Sequence, residues 1–172
     1  MFQTNIAFGD IALRLGLAAV FGAIIGIDRE WRNKPAGLRT HMMVALAAGT
    51  FTVITLELFQ VISRGDAKGL SSDPLRLVEA ITAGVAFLGA GAIIQSRGEV
   101  AGITTGAGIW LAGAVGYAAG AGYYVLAAIA CAFAVIILTM LGWFSSKIAK
   151  KGAESGAADP KPKPAPAGKA DH

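Results

Sequence analysis

The chain has 172 residues, of which 55% are hydrophobic and 15% charged, with a formal net charge of +4. Soluble globular domains carry a smaller apolar share and about 25% charged residues, so this composition excludes an ordinary soluble domain and points to a protein embedded in a lipid bilayer. The basic residues sit in loops and in the C-terminal tail, with no basic stripe interleaved with aromatics, which excludes nucleic acid as a partner.

Apolar runs occur at roughly 6–27, 38–62, 77–95, 100–120 and 123–144. Each is close to the ~17–25 residues that a membrane-spanning helix needs. None shows the apolar–polar alternation of a membrane barrel strand. The expected fold class is therefore all-α: a polytopic membrane helix bundle of about five transmembrane helices over residues 1–145. The first basic residue, Arg14, already lies within the first run, so that run reads as a retained helix and not as a cleaved signal. The fourth run is rich in Gly and holds Thr104 and Thr105, features of a helix that is broken or sits inside the bundle. Pro74 is placed to start the third helix, with Asp73 before it as a cap. Cys131, the single cysteine, falls in the fifth run and reads as a small buried hydrophobe. From about residue 146 the composition changes to a Pro/Lys-rich tail, ending in PKPKPAPAGKADH, with no apolar face. Residues 146–172 are expected to be disordered.

Lys and Arg placement sets the orientation. With the N-terminus outside, the cytoplasmic side holds Arg29, Arg32, Lys34, Arg97, Lys147, Lys150 and Lys151. The outer side holds Arg64, Lys68 and Arg76. The excess follows the positive-inside rule and predicts N-out/C-in.

Charges inside apolar runs are costly and mark candidate sites. Arg14, Glu57 and Glu79 all fall in the outer half of the expected bundle. They read as a structural ion pair, as end residues that snorkel to water, or as part of an ion- or proton-sensing pocket. A second cluster lies where the first run meets the second, in GIDREWRNKPAGLRTH. Asp28, Arg29 and Glu30 end one helix, and Arg39, Thr40 and His41 begin the next. Asp28 and Glu30 offer oxygen ligands of the kind magnesium takes, but the neighbouring Arg29, Arg32, Lys34 and Arg39 compete for those oxygens. The residues by themselves favour a salt-bridged interfacial loop over a metal site. The pairs Gly22/Gly26, Gly102/Gly106 and Gly116/Gly120 have the G-x-x-x-G spacing that lets membrane helices approach closely. They predict a tight bundle, a dimer face, or both. No nucleophile with a base partner, no Cys/His cluster and no phosphate loop is present, so an enzyme is not expected.

Three blocks resemble the MgtC/SapB family of bacterial inner-membrane proteins. They are GAIIGIDREWRNKPAGLRTHMMVALAAG (22–49), RLVEAITAGVAFLGAGAIIQ (76–95) and GEVAGITTGAGIWLAGAVGYAAGAGYY (98–124). The resemblance implies about five helices in the bacterial plasma membrane. It also implies links to magnesium homeostasis, acid tolerance and virulence, through regulation of other membrane machinery such as the ATP synthase. Asp28 stands where family members often have Glu, and Gly106 where Ala is common. Longer members carry a soluble C-terminal domain resembling ligand-binding ACT modules, where this chain has its Pro/Lys tail. The expectation is a non-enzymatic regulator whose partners are the lipid bilayer and another membrane protein, with a homo-oligomer as a further arrangement. Its leading site is Asp28, Arg29, Glu30, Arg39, Thr40 and His41, and magnesium is the one ion in view. The alternative is a divalent-cation or proton transporter or channel acting as an oligomer.

Overall fold

The computed structural model describes residues 4–64, 74–96 and 99–156. The loop 65–73, Arg97 with Gly98, and the tail from 157 lie outside the described residues, and with them the expected Asp73 cap, Lys68, Arg97 and the Pro/Lys segment. The helices are α1 (Phe8–Trp31), α2 (Leu38–Ser63), α3 (Pro74–Gly91), α4 (Ile103–Gly120) and α5 (Tyr124–Gly156). The strands β1 (Ile94–Ser96) and β2 (Glu99–Ala101) form an antiparallel hairpin between α3 and α4, with Gln95 opposite Val100. Among the described residues, α1 and α2 are each long and apolar enough to cross a membrane, and Val78–Gly91 and Tyr124–Met140 are shorter apolar stretches. The chain divides into two units, 1–138 and 139–172. The described part of the second is the helical run 139–156.

Helix ends follow local chemistry. After Arg32, Asn33 turns left-handed (φ 50°). The Lys34 N–H then donates to Arg29 O and the Asn33 N–H to Glu30 O, each at 3.0 Å. This is the paired-bond stop known as a Schellman motif, with Asn in the place usually taken by Gly. Gly122 (φ 88°) ends α4 in the same way, with Tyr123 N–H bonded to Ala118 O at 2.9 Å and Gly122 N–H to Ala119 O at 3.0 Å. Pro74 occupies the first position of α3, where a missing N–H costs nothing.

The helical architecture matches the sequence expectation, and its boundaries differ in three places. The third and fourth runs were expected to be helical over 77–95 and 100–120, but residues 94–96 and 99–101 pair as strands. Gly102 takes φ 90°, a conformation that L side chains avoid, so α4 cannot begin before Ile103. At the other end, α5 runs through the expected boundary at 144–145 to Gly156. In the segment AKKGAE the Ala, Lys and Glu residues are good helix formers around the single Gly152, and the first proline after it is Pro160.

α1, α2 and α4 pack against one another, and small residues make that possible. A Cβ on Gly22 would sit 2.6 Å from His41 O, and one on Gly26 would sit 2.7 Å from Leu38 Cα. From α4, a Cβ on Gly116 would overlap the Ala45 backbone, and one on Gly120 would sit 2.6 Å from Gly49 O. Gly106 likewise meets Gly89 O, bringing α3 onto α4. Ala18 and Ile25 of α1, Val115 and Ala119 of α4, and Ala127 and Cys131 of α5 form one buried cluster. The Cys131 thiol lies 3.7 Å from Phe21 O.

Candidate functional site

The end of the bundle where α1 passes into α2 brings together the C-terminus of α1, the N-terminus of α2 and the first turns of α4. Arg29 points into this junction and is only 4% exposed. Its Nη2 donates to the Thr105 hydroxyl of α4 at 2.6 Å. His41 is fully buried. Its Nδ1 lies 2.8 Å from Gly37 O, one turn back along the chain. A carbonyl oxygen only accepts, so Nδ1 carries the proton. The other ring nitrogen, Nε2, faces Gly108 of α4, where a Cβ would approach it to 3.1 Å.

The remaining charged side chains lie around this interior pair. Asp28 accepts from Arg32 Nε at 2.9 Å through Oδ1, an i,i+4 ion pair, while its Oδ2 is buried with no hydrogen-bond partner among the described residues. Glu30 reaches across the turn, and its Oε2 accepts from Leu38 N–H at 2.9 Å. That N–H is one of the donors the start of α2 leaves unpaired, so Glu30 caps the helix from eight residues upstream. Gly37 makes the reach possible, because any Cβ there would overlap the Glu30 carboxylate. Trp31, Lys34, Arg39 and Thr40 are exposed around the turn. A groove of about 340 Å³ opens beside it, lined in part by Pro35, Ala36, Thr40, Leu88 and Ala92.

The expected outer trio does not assemble. Arg14 Nη1 donates to Gly120 O at 2.8 Å, closing the C-terminal end of α4, and the guanidinium lies where a Cβ on Gly122 would meet it at 3.3 Å. A cation there meets the negative end of the helix dipole. Glu57 accepts instead from the backbone of the segment that leads into α1, from Asn5 N–H at 2.8 Å and Ile6 N–H at 2.6 Å. Arg64 donates to Asn5 Oδ1 at 2.5 Å. Glu79 is exposed on α3. Backbone groups thus supply the partners that the sequence assigned to opposite charges. Of the glycine pairs, Gly22/Gly26 and Gly116/Gly120 face helices of the same chain. Gly102 precedes α4 as a turn residue and does not pack a helix face, so the Gly102/Gly106 pair does not act as one.

A model of the MgtC family matches residues 15–147, a span that contains α2, α3, α4, the hairpin and nearly all of the junction just described. The chain belongs to the MgtC family. Among curated relatives, protein SapB of Bacillus subtilis is 38% identical over 140 residues, covering 81% of this chain and 60% of that protein. The Escherichia coli K12 protein described as "Putative magnesium transporter YhiD" is 32% identical over 142 residues, covering 83% of this chain and 65% of that protein. Protein MgtC of Brucella abortus is 38% identical over 124 residues, covering 72% of this chain and 48% of that protein. The chain therefore spans between about half and two thirds of the length of these relatives. No solved structure matches it.

Within this MgtC family fold, the cluster singled out from the sequence separates into two groups. Arg29 and His41 are interior, while Glu30, Arg39 and Thr40 are exposed and Asp28 lies between. Three residues of the junction have roles that the sequence reading did not give. Thr105 was noted as a polar residue in an apolar run, without its tie to Arg29. Gly37 was read as part of the turn without its contact to Glu30, and Gly108 carries no spacing motif. Their roles come from what a Cβ would strike, which is a tertiary fact.

Proposed function

We propose that this MgtC family chain is a multi-pass protein of the bacterial plasma membrane, oriented N-out/C-in. In this reading it regulates magnesium-linked physiology by contact with another membrane protein and is not an enzyme. The observation that carries the reading is the division of labour at the α1–α2 turn. Arg29 and His41 hold the turn from within and the Glu30–Leu38 cap ties it at the surface, which leaves Trp31, Arg39 and Thr40 exposed beside an open groove. Trp31 is 83% exposed and Arg39 is exposed on the same turn, and Trp and Arg are among the residue types enriched at the energetic centres of binding interfaces. The basic residues of the turn also favour the cytoplasmic side. The magnesium link draws on family membership and on the description printed for YhiD.

The test uses Trp31→Ala and Arg39→Ala, neither of which touches the interior bonds. Each is expected to reduce the protein captured with a tagged chain in mild detergent by about tenfold, equivalent to ~1.4 kcal/mol of lost contact. Growth at low magnesium should fall while the membrane level of the chain stays normal. Unchanged growth and capture in the double variant would sink the reading.

A second reading is a divalent-cation or proton transporter acting as an oligomer. It is favoured by the buried unpartnered Oδ2 of Asp28 at the same end of the bundle and by the description of YhiD. Reconstitution in liposomes with a trapped magnesium-sensitive dye, and separately a pH dye, decides it. Flux that Asp28→Asn abolishes supports transport. Flux no higher than in empty liposomes removes it.

A further inference from the structure

Beside the α1–α2 turn, α2 and α3 both pack on α4 and touch each other little. The groove of about 340 Å³ lies there, lined by the turn and by all three helices. Its volume falls in the ~300–1,000 Å³ range of ligand sites. The lining grades from polar to apolar along the helices. Pro35 and Thr40 stand at the turn, and Thr40 is exposed. Val44 lies six residues beyond Leu38, where α2 starts, and Ile109 six beyond Ile103, where α4 starts. Both are buried, about 9 Å along their helices. Leu88 of α3 lines the groove half-exposed. Gly91 of α3 lines it too, and a Cβ there would meet no atom within 4 Å, so space stands open beside it.

The mouth of the groove carries spare positive charge. Arg32 is paired with Asp28, and the Glu30 carboxylate is taken up by Leu38 N–H. Lys34 and Arg39 are exposed and have no ion pair among the described residues. They are the chain neighbours of Pro35 and Thr40, so both side chains leave the backbone at the mouth, on stems long enough to carry their charge to an anion held there. Apolar walls within a bilayer select nothing by themselves, because lipid tails are equally apolar. The cations do select, since an anionic headgroup gains about 1 kcal/mol for each Lys or Arg near the surface. An occupant that satisfies both ends joins an anion to an apolar chain.

We infer that the groove is a binding site for one anionic phospholipid. Its phosphate meets Lys34, Arg39 and the Thr40 hydroxyl, and one acyl chain runs inward along Val44, Leu88 and Ile109. The inference rests on the proposed placement of the turn at a membrane surface, and not on its contact with another protein.

The test is native mass spectrometry of the full chain, delipidated in mild detergent and titrated with phosphatidylglycerol or with phosphatidylcholine. The first phosphatidylglycerol should bind about tenfold more tightly than the first phosphatidylcholine, as two surface cations allow. The double variant Lys34→Gln/Arg39→Gln should erase that preference. Gly91→Leu, whose side chain enters the open space, should remove the tightly held lipid. Gly84 also faces open space but does not line the groove, so Gly84→Leu should titrate like the parent. Glycerol 3-phosphate, which has the charge without the chains, should not displace the lipid. Equal binding of the two lipids by the parent, displacement by glycerol 3-phosphate, or unaltered binding in Gly91→Leu overturns the inference. So does a lipid-free dimer that Gly91→Leu splits, which would seat a second copy in the groove. The parent titration decides even if a variant fails to fold. No partner protein is present, so the outcome is separate from that of the capture and growth tests.

Discussion

Glu30 reaches back over the turn to bond Leu38 N–H, and Gly37 clears its path. Gly37→Ala should therefore displace the carboxylate and cost about 1 kcal/mol, the usual scale of a lost helix cap, read as a lower unfolding midpoint in detergent. Glu30→Gln keeps an oxygen acceptor at the same place, so it should stay within about 0.5 kcal/mol of the parent, while Glu30→Ala should match Gly37→Ala. Growth at low magnesium then separates two roles for this side chain. A defect in Glu30→Gln without loss of stability shows that the charge is needed for contact, beyond the cap. The sequence marked Asp28, Arg29, Glu30, Arg39, Thr40 and His41 as one cluster, and all six do lie at one end of the bundle. It did not show that Arg29 and His41 point inward. Successive side chains on a helix diverge by ~100°, so neighbours in sequence part company once one face is buried.

At the scale of the elements, glycine sets how closely helices pack, and the effect depends on what each glycine faces. Gly116 lies against the Ala45 backbone, where an added Cβ would overlap main-chain atoms that cannot move alone. Gly116→Ala should drive α2 and α4 apart and cost about 1–3 kcal/mol, as overpacking does. Gly84 in α3 has nothing within 4 Å of its would-be Cβ. Gly84→Ala should be neutral or stabilise by up to about 1 kcal/mol through helix propensity. Thermal unfolding of the two variants in the same detergent checks the contrast, and equal effects would contradict the packing account. Gly22/Gly26 and Gly116/Gly120, which share the G-x-x-x-G spacing, each lie against the backbone of a neighbouring helix. The same spacing misplaced Gly102, because spacing carries no information about φ and the left-handed turn at Gly102 ends the helical pattern.

For the whole molecule, the open question is orientation across the bilayer. Cys131 is the one cysteine and is buried, so a Cys131→Ala background allows single exposed cysteines to report on each end. Lys34→Cys, in the α1–α2 turn, should react with a membrane-impermeant thiol reagent only after the cells are permeabilised. Arg64→Cys, at the end of α2, should react in intact cells. The reverse pattern would invert the proposed topology and move the turn to the outer face, away from any cytoplasmic partner surface. The two positions lie at opposite ends of α2, which at 26 residues is long enough to span the hydrocarbon layer at ~1.5 Å per residue.

The sequence alone determined the helical class, the approximate helix positions, the family and the stretch where charge gathers. Each depends on composition, on run length or on residues close together in the chain. Tertiary structure decided the partners. Arg29 meets Thr105 across 76 residues, Arg14 meets Gly120 across 106, and Glu57 meets Asn5 and Ile6 across more than 50. In each case a charged side chain found a hydroxyl or a backbone group, where an ion pair was one of the arrangements the sequence allowed. The reason is that helix ends and loop backbone present unpaired donors and acceptors, and only the mutual packing of α1, α2 and α4 determines which of them a charged side chain can reach.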